Sequence, residues 1–159
     1  GNSARICVVG DTNVAESLRY IGTKKKARGS YTLDVVESPT ITELGQNAYT
    51  CHVLYVDQSR AQDLKAARGV IVHRPILTVS NATAFADTGG AIEFTPKGSK
   101  IGLRINREII RVAKLSISPN LLALAEVINV MPREFPKHSP NPGIRLLYYA
   151  ARLWWPNHV

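Results

Sequence analysis

Chemistry, if this chain performs any, should begin near position 10. Val9-Gly10-Asp11 closes an apolar run, where the glycine loop of a nucleotide-binding unit would open. Such a loop uses three glycines, so that backbone can approach a pyrophosphate and helix can pack on strand; here Gly10 stands alone. A capped helix start beside Gly10 and Asp11 could still hold a small ligand. Gly89-Gly90 is a second permissive stretch, and no Lys-Ser or Lys-Thr follows it. It reads as a turn before a hairpin or as a ligand loop, and not as a P-loop.

The histidines, His52, His73, His138 and His158, form no paired metal spacing. His52 follows Cys51 directly, and neighbours on a strand point to opposite faces, so no metal site is expected. There is no Gly-x-Ser-x-Gly elbow, and the carboxylates are scattered. The expectation is binding rather than catalysis, with no cofactor and no catalytic residue. The candidate partner-binding residues are the tryptophans Trp154 and Trp155 and the lysines Lys24, Lys25 and Lys26. The formal charge of +8 favours an acidic partner, a phosphate surface or an anionic membrane face. The lysine run has no interleaved aromatics, though, and reads as a solvated basic loop rather than a nucleic-acid site.

Two cysteines, Cys7 and Cys51, are too few for a disulfide scaffold. Each sits in a β-like run, which leaves a cross-strand disulfide and two buried thiols both open.

The elements that must position these residues follow from period and punctuation. Arg5 to Gly10 is a buried strand. Asn13 and Glu16 resemble a capping box for a helix with Val14, Leu18 and Ile21 on its apolar face and Gly22 as its stop. Tyr31 to Val36, His52 to Val56 and Pro75 to Val79 give three more strands, with a helix from a Ser59–Gln62 box between the last two. Ala91–Thr95 and Ile101–Ile105 flank Pro96-Lys97-Gly98-Ser99 as an antiparallel hairpin. Asn106 caps a helix carrying Ile109, Ile110 and Ala113; Ser118-Pro119 starts another with Leu121, Leu124, Ala125 and Ile128 at core spacing. The fold class expected is α/β, a mostly parallel central sheet of about five to six strands with an antiparallel hairpin and helices on both faces.

The 159 residues suit one domain, 1–159, that buries roughly two-thirds of its unfolded surface. Within it, residues 131–143 carry Pro132, Pro136, Pro140 and Pro142 and read as an extended linker. After the linker, Ile144, Leu147, Ala151 and Trp154 form the apolar face of a last helix. No apolar run reaches the ~20 residues of a membrane span. The first residues run directly into a strand, without a signal peptide, so a mature form is expected.

The stretch ILTVSNATAFADTGGAIEFTPKGSKIGLRIN from Ile76, with ICVVGD at Ile6 and CHVLYV at Cys51 upstream of it, closely resembles the YfiR-like (HmsC-like) family over about residues 5 to 130. The family's initial helix ends in Trp-Pro; here IRLLYYAARLWWP, residues 144–156, looks like that helix but comes last. The resemblance therefore implies an order circularly permuted relative to the family, with the Pro-rich linker joining its C-terminal part to its N-terminal helix.

It further implies a periplasmic regulator that restrains a membrane-bound diguanylate cyclase by binding its periplasmic sensor region, so modulating cyclic di-GMP signalling and biofilm formation. An OmpA-like outer-membrane lipoprotein is the implied second partner, with no nucleic acid, and a homodimer is compatible. A disulfide joining Cys7 to Cys51 is implied as well. Some relatives carry a second cysteine pair, whose matching positions here are Ala84 and Ala91. The alternative expectation is a periplasmic small-molecule-binding sensory protein.

Overall fold

A computed structural model describes residues 3–24, 32–64, 71 and 74–131. Alternating apolar side chains on seven strands build one sheet. In chain order these are β1 (Ser3–Val9), β2 (Thr32–Ser38), β3 (Val53–Val56), β4 (Leu77–Ser80), β5 (Ile92–Lys97), β6 (Lys100–Asn106) and β7 (Ala125–Ile128). Their spatial order is β2-β1-β3-β4-β5-β6-β7. All neighbours are parallel except β5 and β6, which form the expected hairpin around Gly98 and Ser99. The α/β class stands, with seven strands where about five to six were expected.

The additional strand corrects the reading of residues 119–128 as one helix. Helix α4 (Pro119–Ala123) is capped by Ser118 as expected, its side chain accepting from Leu121 N, but it lasts one turn. β7 then pairs parallel with β6 from Leu103↔Ala125 to Asn106↔Ile128. A single turn of helix has little to propagate it. The outer edge of β6 offers unpaired N–H and C=O groups, and Val127 and Ile128 are good strand formers. Leu124, assigned to the core by helical spacing, is 76% exposed.

Local capping differs in two more places. Helix α1 (Thr12–Lys24) is capped by Asp11, whose Oδ1 accepts from Val14 N at 3.1 Å, and not by an Asn13–Glu16 box. It continues through Gly22, which rests against Leu33, and leaves Ile21 exposed rather than in the core. The expected Ser59–Gln62 box is replaced by Asp57, which accepts from Ser59 N and opens the 3₁₀ turn Gln58–Arg60. In both cases an aspartate just past a strand reaches the free N–H groups before the downstream residue can.

Alternation sends Cys7 and Val9 to one face of the sheet and Ile6 and Val8 to the other. The first face packs with Leu54, Val56, helix α2 (Ile41–Leu44), Ala48, Leu64, Ile71 and Phe85. The second packs with Tyr55, Val79, Ile92 and Ile105 under α1 and helix α3 (Arg107–Val112), which contributes Ile109 and Ile110. Asn106 caps α3 as expected, accepting from Glu108 N.

Gly90 shows how tightly the first core is closed. A Cβ built there would lie 2.0 Å from Phe85 Cε1. Gly90→Ala must push that ring out of its seat, at an expected cost of about 1–3 kcal/mol. The check is a lower urea midpoint with an unchanged slope; an unchanged midpoint would show that the ring yields freely.

Candidate functional site

Three structures surround the residues singled out above. The first is covalent. Cys7 and Cys51, both buried, form a disulfide with Cα atoms 5.9 Å apart and a separation of 44 positions in sequence. Cys7 lies on β1, opposite Leu54 of β3. Cys51 is not itself in a strand. It follows the 3₁₀ turn Gly45–Thr50 and its N–H donates to Ala48 O, which places it two residues before β3. The bridge therefore fastens the β2–β3 connection to the strand that β3 joins. Next to it His52 is tied to β1, its N donating to Arg5 O and its Nδ1 accepting from Arg5 N, both at 2.9 Å.

The second structure is the rim at the carboxyl ends of β1, β3 and β4. In a sheet ordered β2-β1-β3, chain direction from β1 diverges here, which is where α/β folds commonly open a crevice. Gly10, with φ of +86°, turns the chain out of β1, and the Arg60 side chain lies against it. Asp11 is spent on the α1 cap. Asp57 Oδ2 accepts from both the N–H and the hydroxyl of Ser59, and its Oδ1 accepts from Asn81 Nδ2. Asn81 Oδ1 in turn accepts from Gln58 N at 2.8 Å. Burial pushes the Asp57 carboxyl up, but the donors of Ser59, Asn81 and Gln58 together hold it below its usual value. Tyr55, buried beneath the rim, has its phenol raised to about 12 by burial and by the charges of Asp57 and Asp11. The rim residues thus bind one another. Among the described residues no group of three or more His, Cys, Asp or Glu is arranged to hold a metal ion.

The third structure folds the loop after β4, the stretch that holds Gly89 and Gly90. Glu93 of β5 is buried and points into this loop, accepting from Ala84 N (3.2 Å) and Ala86 N (2.9 Å). Across the hairpin, Arg104 Nη1 approaches Glu93 at 3.3 Å while its guanidinium grips both Asp87 oxygens, at 2.5 and 3.2 Å. Its Nε donates to Glu126 on β7. Asn106, fully buried, donates to Ala86 O and Val130 O and accepts from Val130 N as well as Glu108 N. Ala84 adopts φ of +62°, and Ala91 N donates to Thr78 Oγ1. Gly89 and Gly90 therefore sit in a loop whose polar groups are held from β4, β5 and β6 and whose apolar side is filled by Phe85.

The Arg104 hydrogen bond, opposed by partial burial and helped by the guanidinium charge, holds the Asp87 carboxyl below its usual value. A carboxyl lowered in the folded state stabilises above its unfolded pKa and loses that contribution as pH falls through the folded one. The stability gap between the native chain and Asp87→Asn should be present at neutral pH and shrink as pH falls below about 3.9. Urea unfolding at several pH values measures it. A gap independent of pH would refute the ion pair as its source.

The surface adds a patch that sequence spacing missed. Lys24 Nζ lies 5.4 Å from the ring centroid of Tyr20, which is 63% exposed beside exposed Ile21. Helical spacing of four between an aromatic and a lysine was the available signal. Lys25, Lys26, Trp154 and Trp155 lie outside the described residues, as do the helix expected at 144–156 and all of the expected linker after Met131.

No described helix is long and apolar enough to cross a membrane. No curated protein matches the chain. The model of the family described as YfiR/HmsC-like matches residues 1–126, which run from β1 into β7 and include the disulfide, the rim and the Glu93–Arg104 latch, and the chain belongs to that family.

Proposed function

We propose that this chain is a periplasmic regulatory binding protein that docks on the periplasmic sensor region of a membrane-bound diguanylate cyclase and holds its output low. Membership of the YfiR/HmsC-like family carries this reading, because that family consists of periplasmic regulators of diguanylate cyclases. The buried disulfide supports it, since such bonds persist in oxidising compartments. Restraint at a distance requires that the chain bind one conformation of the sensor better than the other; equal affinity would shift nothing. An OmpA-like lipoprotein that occupied the same surface would release the cyclase by competition.

For the docking surface the reading takes the end of α1. Tyr20 and Ile21 expose apolar area beside Lys24, an arrangement suited to an acidic, partly apolar partner. Trp154 and Trp155, outside the described residues, stay candidates for contact with the partner.

The test has two arms. The chain is passed over the immobilised periplasmic sensor region of a membrane-bound diguanylate cyclase, and cyclic di-GMP is measured in cells that carry this cyclase, with and without the chain. Retention with lowered cyclic di-GMP is expected. Tyr20→Ala with Lys24→Glu should weaken retention about tenfold or more, the scale of an interface anchor. No retention and no change in cyclic di-GMP would overturn the function; retention indifferent to the double substitution would overturn the surface alone.

A further inference from the structure

The β5–β6 hairpin outruns its sheet. Val9, Val56, Ser80 and Glu93 stand level on adjacent strands, and β1, β3 and β4 all end there. β5 continues from Phe94 to Lys97 and β6 returns from Lys100. A two-stranded ribbon therefore projects about 13 Å past the rim, at ~3.3 Å per residue. On the outer side β7 pairs with β6 only from Leu103 onward. Pro96 to Ile101 are accordingly all exposed.

The two faces of this tip carry different chemistry. Lys97 and Lys100 are directly opposed and share one face, while Pro96 and Ile101 are opposed on the other. The stem of Lys97 lies over Gly102, its Cδ 3.7 Å from where a Cβ would stand. Like charges directly opposite each other weaken a strand pair. Neither lysine has an ion-pair partner among the described residues. On the other face Ile101 is 73% exposed, although it stands at the far end of a side whose neighbouring pair, Phe94 and Leu103, packs with the second core. Neither the paired lysines nor the bare isoleucine helps the ribbon fold.

We propose that this tip docks on an anionic lipid bilayer. The ribbon enters end-on behind the small Gly98-Ser99 turn. Ile101 and Pro96 sink into the interfacial layer, and the stems of Lys97 and Lys100 turn back to lipid phosphates. Two concentrated positive charges select a phosphate surface, and the apolar step beside them selects one with hydrocarbon directly beneath. A second copy adding a strand is the poorer occupant. Pro96 offers no N–H to a new strand, and lysine at the end of each strand guards the open edges. The inference stands apart from the proposed function, since lipid binding needs no protein partner.

The full chain should sediment with vesicles of phosphatidylcholine mixed with phosphatidylglycerol, and not with vesicles of phosphatidylcholine alone. Lys97→Gln with Lys100→Gln should weaken that binding about thirtyfold, the scale of two lysines at an anionic surface. Ile101→Ser should weaken it about tenfold through lost apolar burial. Arg74→Gln with Arg107→Gln removes the same charge from exposed residues at the opposite end of the sheet and should bind as the native chain does. Both native cysteines are in the disulfide, so Ser99→Cys supplies a single thiol at the turn. A polarity-sensitive dye there should shift to the blue with the mixed vesicles, a readout that leaves the lysines and the isoleucine in place. Equal loss in the Arg74 and Arg107 pair, equal binding to both kinds of vesicle, or a dye blind to the mixed vesicles would overturn the proposal. So would a chain that ignores vesicles but loses its retention on the cyclase sensor region when Lys97 and Lys100 are changed, because the tip would then serve a protein.

Discussion

Replacing Cys7 and Cys51 together by alanine is expected to remove about 4 kcal/mol of stability, the chain-entropy cost of releasing a loop of 44 residues. That figure is a large share of the ~5–15 kcal/mol that holds an ordinary domain folded. The position of the bond makes the loss local as well as global. Cys51 ends the β2–β3 connection, and Cys7 is in the middle of the first core with Val9, Leu54 and Val56. Without the bridge, the segment from Ile41 to Thr50 keeps, among the described residues, its apolar contacts through Ile41, Leu44 and Ala48, the hydrogen bond from Arg5 Nη1 to Thr50 Oγ1 and the contact of Arg74 with the Tyr49 ring. Proteolysis of the variant should therefore cut first within 41–52, and urea unfolding of the oxidised and reduced native chain should reproduce most of the difference seen for the double alanine variant. If reduction costs less than about 1 kcal/mol, the bridge is not what secures this connection. Under the proposed function, retention on the sensor region should fall with reduction. Stability and retention are separate measurements, so the structural claim survives a failure of the functional one.

How far residues spoke for themselves depends on whether their partners were local. Strand runs such as Arg5–Val9 and the hairpin around Gly98-Ser99 were legible because alternation and turn chemistry act over a few residues. The hairpin even carried a site: once the turn is Gly98-Ser99, Glu93 must face Arg104, a carboxylate and a guanidinium in register on neighbouring strands. Their spacing about the turn holds that information, in a structural ion pair rather than a catalytic pair of carboxylates. β7 was not legible. Its residues have helical spacing, and only the unpaired edge of β6, known once the sheet exists, decides against a helix. The Asp11 and Asp57 caps failed for a related reason, because each sits on a turn whose direction is set by the strand before it. Gly10 and Gly90 were marked as permissive backbone, and both serve close packing: one under Arg60, the other under Phe85.

The latch at Glu93 is where the next largest effect is expected. The chain's two cysteines both lie in the Cys7–Cys51 bridge, so the loop between β4 and β5 is held without a disulfide. Glu93 takes the N–H groups of Ala84 and Ala86 and meets Arg104, which also carries Asp87 from the far side of the same loop. Glu93→Ala leaves two N–H groups without their acceptor at a cost of about 1–3 kcal/mol each, less whatever water recovers. Arg104 keeps Asp87 and Glu126, so its charge is not stranded, and a net loss of about 3 kcal/mol is expected rather than the upper end of the buried-pair range. Glu93→Gln keeps one acceptor oxygen for one of the two N–H groups but turns a donor toward the other, so it should recover only part of the loss. Hydrogen exchange gives the local readout. In Glu93→Ala the amides of Ala84 and Ala86 should lose their protection while those of β1 and β3 keep theirs, because the disulfide and the first core still close that end of the sheet. Equal stability of the alanine and glutamine variants would mean that the loop is held by Phe85 and Asn106 alone.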